Sequence, residues 1–319
     1  MSKRVLVVGG AGYVGGSLVD QLLSLGYYVD VYDSLVYEDT YLKPVNFIYG
    51  DVRDYNELSK IIDNYDVVVW LAAIVGDAAC ATDPFLTRSI NYESVKWLVD
   101  HYGGKIIFPS TASVYGINNN LIDEDAAPNP LSVYAETKLL AEQYILDKGN
   151  GNALVFRLGT LYGLGDRFSR IRFDLVANVL ARNAVSGRPL VVNGGEQWRP
   201  LLHVKDVAGA MTFGIQNDIH GLFNLSKENC RIRDIAQHIK GVIPNVNIRY
   251  VDMNFEDARN YRVSSDRYRS LGWKPDLDLD VGITEIMQLI KQKRIRNVDD
   301  PLFSNVDYIR RLTTGGWVR

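Results

Sequence analysis

The chain has 319 residues, 47% of them hydrophobic, and a formal net charge of −3, which allows a large core in one or two closely packed domains. No basic stripe points to nucleic acid, no polybasic segment points to an anionic membrane, and the longest apolar stretch, Val67 to Val75, is too short to span a bilayer. Cys80 and Cys230 are the only two cysteines and lack metal or disulfide spacing, so no metal is expected, and a reducing cytoplasm is the expected compartment. The N-terminus enters a strand within a few residues, leaving no room for a signal peptide.

Val5 to Val8 reads as a buried strand. Gly9, Gly10, Gly12 and Gly15 follow at once, Tyr13 to Leu25 reads as a helix, and Val29 to Asp33 is the next strand, closed by an acid. This order suits a dinucleotide. Glycines let the backbone approach the pyrophosphate, and the helix N-terminus offers free N–H groups and a positive dipole end. The acid accepts hydrogen bonds from the adenosine ribose and repels a 2′-phosphate, so NAD rather than NADP is expected. The competing reading is a tight strand-to-helix turn that binds nothing.

Asn46 to Gly50 is a short strand. A helix follows to Lys60, capped by Asp54 with Glu57 as its box partner. Asp66 to Leu71 is an apolar strand, and Asp83-Pro84 opens a long helix to His101. Lys105 to Pro109, Ser132 to Lys148 and Ala153 to Arg157 are strand, helix and strand. These units predict an α/β fold: a Rossmann, doubly wound parallel sheet with ligands at the strand carboxyl ends. The pattern breaks after Gly163. Arg172 to Asn183, His203 to Asn217 and Ile283 to Lys293 read as helices, with a turn at Gly272-Trp273-Lys274-Pro275. We expect an NAD-binding domain over 1–163 and 201–221, and a smaller mixed α/β substrate domain over 164–200 and 222–319. The tail from Asn297 to Arg319 shows no usable periodicity.

Tyr134 and Lys138 lie four apart on a predicted helix and share a face. An ammonium beside a phenol stabilises the phenolate and lowers its pKa from about 10, giving a base for a sugar hydroxyl near neutrality. The same spacing recurs at Tyr92/Lys96 and Tyr144/Lys148, but those pairs are mid-helix and read as solvated or packing residues. Tyr134 instead follows the fifth strand, whose end, Pro109-Ser110-Thr111-Ala112-Ser113-Val114-Tyr115-Gly116, sets hydroxyls where a nicotinamide would lie. His203 reads as structural, Asn91 as a polar group facing the sheet edge, and Trp70, Trp97 and Trp198 as packing residues.

The chain resembles the extended short-chain dehydrogenase/reductase family of sugar-nucleotide epimerases and dehydratases over nearly its whole length. The resemblance rests on Val8-Gly9-Gly10-Ala11-Gly12-Tyr13-Val14-Gly15, Gly50-Asp51-Val52, Leu71-Ala72-Ala73, the Ser110 to Gly116 segment, Tyr134-Ala135-Glu136-Thr137-Lys138 and Arg199 to Val207. It implies Tyr134 as general base or acid, Lys138 holding the nicotinamide ribose, and Thr111 as the catalytic hydroxyl, with Ser113 the alternative. Gly9, Gly12, Tyr13, Val14, Gly15, Asp33 and Ser110 would hold the cofactor. Asp51 and Val52 would flank the adenine, Asp51 being open also to reading as a turn acid. Leu71, Ala72 and Ala73 would line the path to the nicotinamide. Arg199 and Arg259 would pair with a nucleotide diphosphate, the competing reading of each being a surface ion pair.

Family 4,6-dehydratases carry Asp-Glu after the catalytic Thr; here Ala112 and Ser113 stand there, so the acid for eliminating water is missing. Thr160 stands where 4-epimerases usually carry Asn against the sugar diphosphate. The Ile74 to Cys80 loop is similar to a subgroup that includes a GDP-heptose C4 dehydrogenase, which makes Asp77 a substrate-contact candidate, or else a loop cap. The expected activity is an NAD-dependent nucleotide-sugar 4-epimerase working through a 4-keto intermediate. The alternative is a C4-dehydrogenase or reductase with tightly held NAD(H), and more remotely a non-catalytic NAD sensor. The resemblance also implies a homodimer through the helices at Asp83 to His101 and Ser132 to Lys148.

Overall fold

Val5 to Val8 are fully buried because their strand lies in the middle of a sheet covered on both faces. A computed structural model describes residues 3–166, 170–252 and 259–314. The first half runs β1 (Arg4–Val8), α1 (Tyr13–Ser24), β2 (Tyr28–Asp33), β3 (Asn46–Tyr49), α2 (Tyr55–Ser59), β4 (Val67–Trp70), α3 (Asp77–Thr82), α4 (Pro84–Arg88), α5 (Ser94–His101), β5 (Lys105–Thr111), β6 (Ile117–Ile122), α6 (Val133–Lys148) and β7 (Ala153–Leu158). The second half runs β8 (Thr160–Tyr162), α7 (Val176–Val185), β9 (Leu190–Asn193), β10 (Trp198–His203), α8 (Val204–Gln216), β11 (Gly221–Leu225), β12 (Glu228–Arg231), α9 (Ile232–Val242), β13 (Ile248–Val251), β14 (Asn260–Val263), α10 (Asp266–Arg269), α11 (Leu279–Lys291) and α12 (Asn305–Thr314).

Seven strands form one parallel sheet in the order β11-β7-β5-β4-β1-β2-β3. Chain direction across the sheet reverses between β1 and β4, the crevice where such sheets bind ligands. Helices α1 and α8 close one face through Leu18, Leu22, Val207 and Met211, while α5 and α6 close the other through Val95, Leu98, Ala141 and Ile145. A second core gathers α7, α9 and α11 around Leu180, Ile235 and Ile283. β6 lies beside β14, which ties the halves together, and β8 lies beside β10. No helix among the described residues is long and apolar enough to cross a membrane.

Several expectations need correction. The boundary drawn at 221/222 falls inside β11, and Tyr268 and Trp273 pack in the core of the large sheet, so these parts of 222–319 belong with the NAD-binding half. The long helix from Asp83 is interrupted by a wider π-type turn over Ser89–Glu93. That turn sends Asn91 inward, where its amide donates to the Ile74 carbonyl at 2.9 Å and accepts from the Ile74 N–H at 2.8 Å. Asp54 does cap α2, but Glu57 pairs with Lys60 one turn on and makes no box. The tail is ordered over α12, with Ile309 buried against Ile74, Ala79 and Cys80.

Candidate functional site

Gly9 has a φ of +84°, and a Cβ there would stand 2.5 Å from the Ala72 nitrogen, so the turn after β1 passes under the end of β4 only as glycine. A Cβ on Gly15 would meet the Gly10 carbonyl oxygen at 2.5 Å; its absence seats α1 on the turn. The N–H groups of Tyr13, Val14 and Gly15 lie in the first turn of α1 and have no intrahelical acceptor. The Tyr13 ring points away, its hydroxyl donating to the Gly163 carbonyl at 2.6 Å, so the backbone is what Tyr13 offers.

Asp33 stands at the carboxyl end of β2. Its Oδ2 accepts from the Ala11 N–H at 2.9 Å and its Oδ1 from the Leu35 N–H at 2.8 Å. Burial raises its pKa and these N–H groups pull it back. Each oxygen keeps a second lone pair in a cavity lined by Asp51, Val52, Leu71, Ala72 and Ala73. Asp51 accepts from the Arg53 N–H at 2.8 Å and pairs with its guanidinium at 2.6 Å. Burial opposes its ionisation, and Arg53 more than offsets this. Asp51 is thus both a turn acid and a wall of this cavity.

A larger cavity of about 720 Å³ adjoins the first, sharing Gly9, Gly12, Leu71 and Ala73. Tyr134, Lys138, Ser110, Thr111 and Ser113 line it. Ser132 fixes the start of α6: its hydroxyl accepts from the Ala135 N–H at 3.2 Å and donates to Asp77 at 2.7 Å. The Thr111 side chain lies near enough to Tyr134 to favour its ionised form. Thr111 Oγ1 accepts from the Ser113 N–H at 3.1 Å, which leaves its own proton for an oxygen in the cavity. Ser110 Oγ is buried in the same wall with no partner among the described residues, a donor placed for a ligand.

The electrostatics correct one expectation. Burial pushes the Tyr134 phenol above its ordinary value; the Thr111 side chain and the Arg172 charge offset this only in part. Lys138 is 3% exposed, its ammonium lies 3.9 Å from the centroid of the Phe108 ring, and burial pushes its pKa down to about 7. Desolvation therefore outweighs the lysine–phenol effect in the protein alone.

Asp77, Ser113, Thr160, Arg199 and Arg259 border the same cavity. Arg259 reaches across the cleft to Asp77 at 3.0 Å and to Ser113 Oγ at 3.4 Å. It is a pair inside the cleft rather than one on the surface, and Asp77 bridges two segments rather than capping its loop. Arg199 is buried in the wall, with one Nη donating to the carbonyls of Trp198 at 2.9 Å and Arg259 at 2.5 Å. His203 is structural: its Nδ1 accepts from the Lys205 N–H and its Nε2 lies 2.9 Å from Glu285. Tyr144 donates to Asp100 and meets Tyr92 edge-on, far from this chemistry.

Sequence reasoning missed Tyr37, Arg170, Arg172 and Asn305, which line the larger cavity, and Ile309, which lines the smaller. The signal for α12 was present as an apolar stripe three apart, Val306, Ile309 and Leu312, after an Asp300-Pro301 start. Arg170 and Arg172 carry no comparable local signal.

The glycine turn, the helix start, Asp33 and the orphaned Ser110 together fit a dinucleotide laid along the crevice. A model of the NAD dependent epimerase/dehydratase family matches residues 5–226. The chain is 27% identical over 305 residues to a putative UDP-glucose 4-epimerase of Methanocaldococcus jannaschii, covering 90% of this chain and 98% of that one. It is 27% identical over 324 residues to the ADP-L-glycero-D-manno-heptose-6-epimerase of Brachyspira hyodysenteriae, with the same coverage, 90% and 98%. Among solved structures, the UDP-glucuronic acid 4-epimerase of Bacillus cereus, in complex with UDP-glucuronic acid and NAD, aligns with a TM-score of 0.78 at 25% identity, covering 91% of this chain and 99% of that chain. The chain belongs to the NAD dependent epimerase/dehydratase family, as an enzyme of the extended short-chain dehydrogenase/reductase type that uses NAD.

Proposed function

We propose that the protein inverts C4 of a nucleotide-linked sugar through a 4-keto intermediate. NAD, when bound, supplies the hydride acceptor and donor. Tyr134 Oη takes the proton of the C4 hydroxyl and returns it, and Thr111 donates a hydrogen bond to the same oxygen as its charge changes. Lys138, when charged, stabilises the phenolate. Gly9, Gly12, Tyr13, Val14, Gly15, Asp33, Asp51, Val52, Leu71, Ala72, Ala73 and Ser110 hold the cofactor. Asp77, Ser113, Thr160, Arg199 and Arg259 border the sugar and its diphosphate.

One observation carries the choice of epimerisation over dehydration. Among the described residues the carboxylates lining the large cavity are Asp77 and Asp174, and both are ion-paired, with Arg259 and Arg172 respectively. Ala112 and the hydrogen-bonded Ser113 leave no acid beside Thr111 to expel water. Incubation with a panel of nucleotide sugars, read by NMR, is expected to give an equilibrium pair of C4 epimers with catalytic protein. A released keto sugar with stoichiometric reduced cofactor would instead mark the dehydrogenase.

The proposal includes a homodimer. Helices α5 and α6 turn Val95, Leu98, Ala141 and Ile145 inward, yet Phe85 on α4 is 88% exposed and Leu146 on α6 is also exposed. Light scattering at micromolar concentration is expected to give twice the chain mass; a monomer would refute the dimer.

A further inference from the structure

We propose that Arg170, seconded by Arg172, clamps the diphosphate of bound NAD from outside the NAD-binding half, held in place by the C-terminal helix. The inference rests on NAD binding and not on the C4 reading.

The start of α1 offers the diphosphate N–H groups and only about half a positive charge. Arg170 and Arg172 stand in the wall of the same cavity as Gly12, Tyr13 and Val14. Arg172 lies near enough to act on the charge of both Tyr13 and Tyr134. Asp174 holds Arg172 through two bonds, at 2.9 and 3.0 Å, and Arg170 and Arg172 are both buried. Arg170 is 4% exposed and lies 3.6 Å from the centroid of the Tyr37 ring. It donates to the Asn305 side chain and to the Leu302 carbonyl at 3.1 Å, while its Nε is buried with no partner. Burial and the neighbouring Arg172 push its pKa down to about 10, against the opposing charges of Asp174 and, more weakly, Glu38, whose own carboxyl burial pushes up to about 7. A buried guanidinium with a neutral-side partner set and an unused N–H calls for an anion.

Asn305 links the device to the rest of the site. Its N–H donates to Asp174 at 2.8 Å and its amide to the Val75 carbonyl at 2.7 Å, so the first residue of α12 touches both arginine networks and the loop after β4.

The test is calorimetric titration of NAD-free protein with ADP-ribose, adenosine and UDP at two salt concentrations. Arg170→Met is expected to weaken ADP-ribose binding by about 10- to 100-fold and flatten its salt dependence. Adenosine, which lacks the diphosphate, and UDP, which occupies the sugar-nucleotide side, should each change by less than about twofold. Arg170→Gln can still donate to Asn305 and should show the same selective loss, which separates lost charge from a displaced helix. Equal losses of ADP-ribose and adenosine, a loss confined to UDP, or unchanged ADP-ribose binding would each overturn the clamp.

Discussion

Replacing Tyr134 with Phe is expected to cut turnover by about 1,000-fold while leaving NAD binding and thermal stability near the parent values. The change removes one oxygen and keeps the ring that fills the space at the start of α6. That oxygen sits where burial disfavours its ionised form, so its loss costs the fold little. Thr111 keeps its hydrogen bond from the Ser113 N–H. A rate above a tenth of the parent, with NAD bound, would remove Tyr134 from the proton transfer.

Replacing Lys138 with Met is expected to stabilise NAD-free protein near pH 6 and to lose that advantage as the pH approaches 10. The sign follows from the direction of the shift. Lys138 falls from its ordinary 10.5 to about 7 on folding. The unfolded chain therefore binds more protons than the native one between those values, and parent stability rises with pH across that window. Below about 7 the whole penalty of burying the ammonium is present. A shift of this size corresponds to about 5 kcal/mol, about 4 of it falling between pH 6 and pH 10. Urea melts at pH 6, 8 and 10 should show the advantage of Lys138→Met over the parent shrinking by about 4 kcal/mol between pH 6 and pH 10. A pH-independent difference would show that Lys138 is charged in the native protein throughout. Turnover of the same variant should fall, since no cation is left to support the Tyr134 phenolate.

The parts of the site readable in the sequence are those built from neighbouring residues. Gly9 to Gly15 form one turn and one helix start, Asp33 ends one strand, and Tyr134 and Lys138 share one helix face. Spacing alone therefore places each of them. Arg170 and Arg172 follow β8 in a segment without period, and their role comes from Tyr37, Asp174 and Asn305, contacts made by distant parts of the chain. The stripe of α12 was visible, but three apolar residues gave no partner, and the partner is the loop around Ile74 and Cys80. The pKa of Tyr134 came out reversed for a related reason. Spacing shows that a lysine is near but not that both groups are buried, and burial decides the sign. The Glu57 box failed because Lys60, three residues on, offers a charged partner.

The most direct measurement uses nucleotide sugars carrying deuterium at C4, incubated with the protein and read by NMR. The expected product is inverted at C4 with the deuterium still on that carbon, formed at a slower rate than from the unlabelled sugar. Inversion at another carbon, inversion with the deuterium lost to solvent, or no rate difference in a single turnover would contradict the C4 reading.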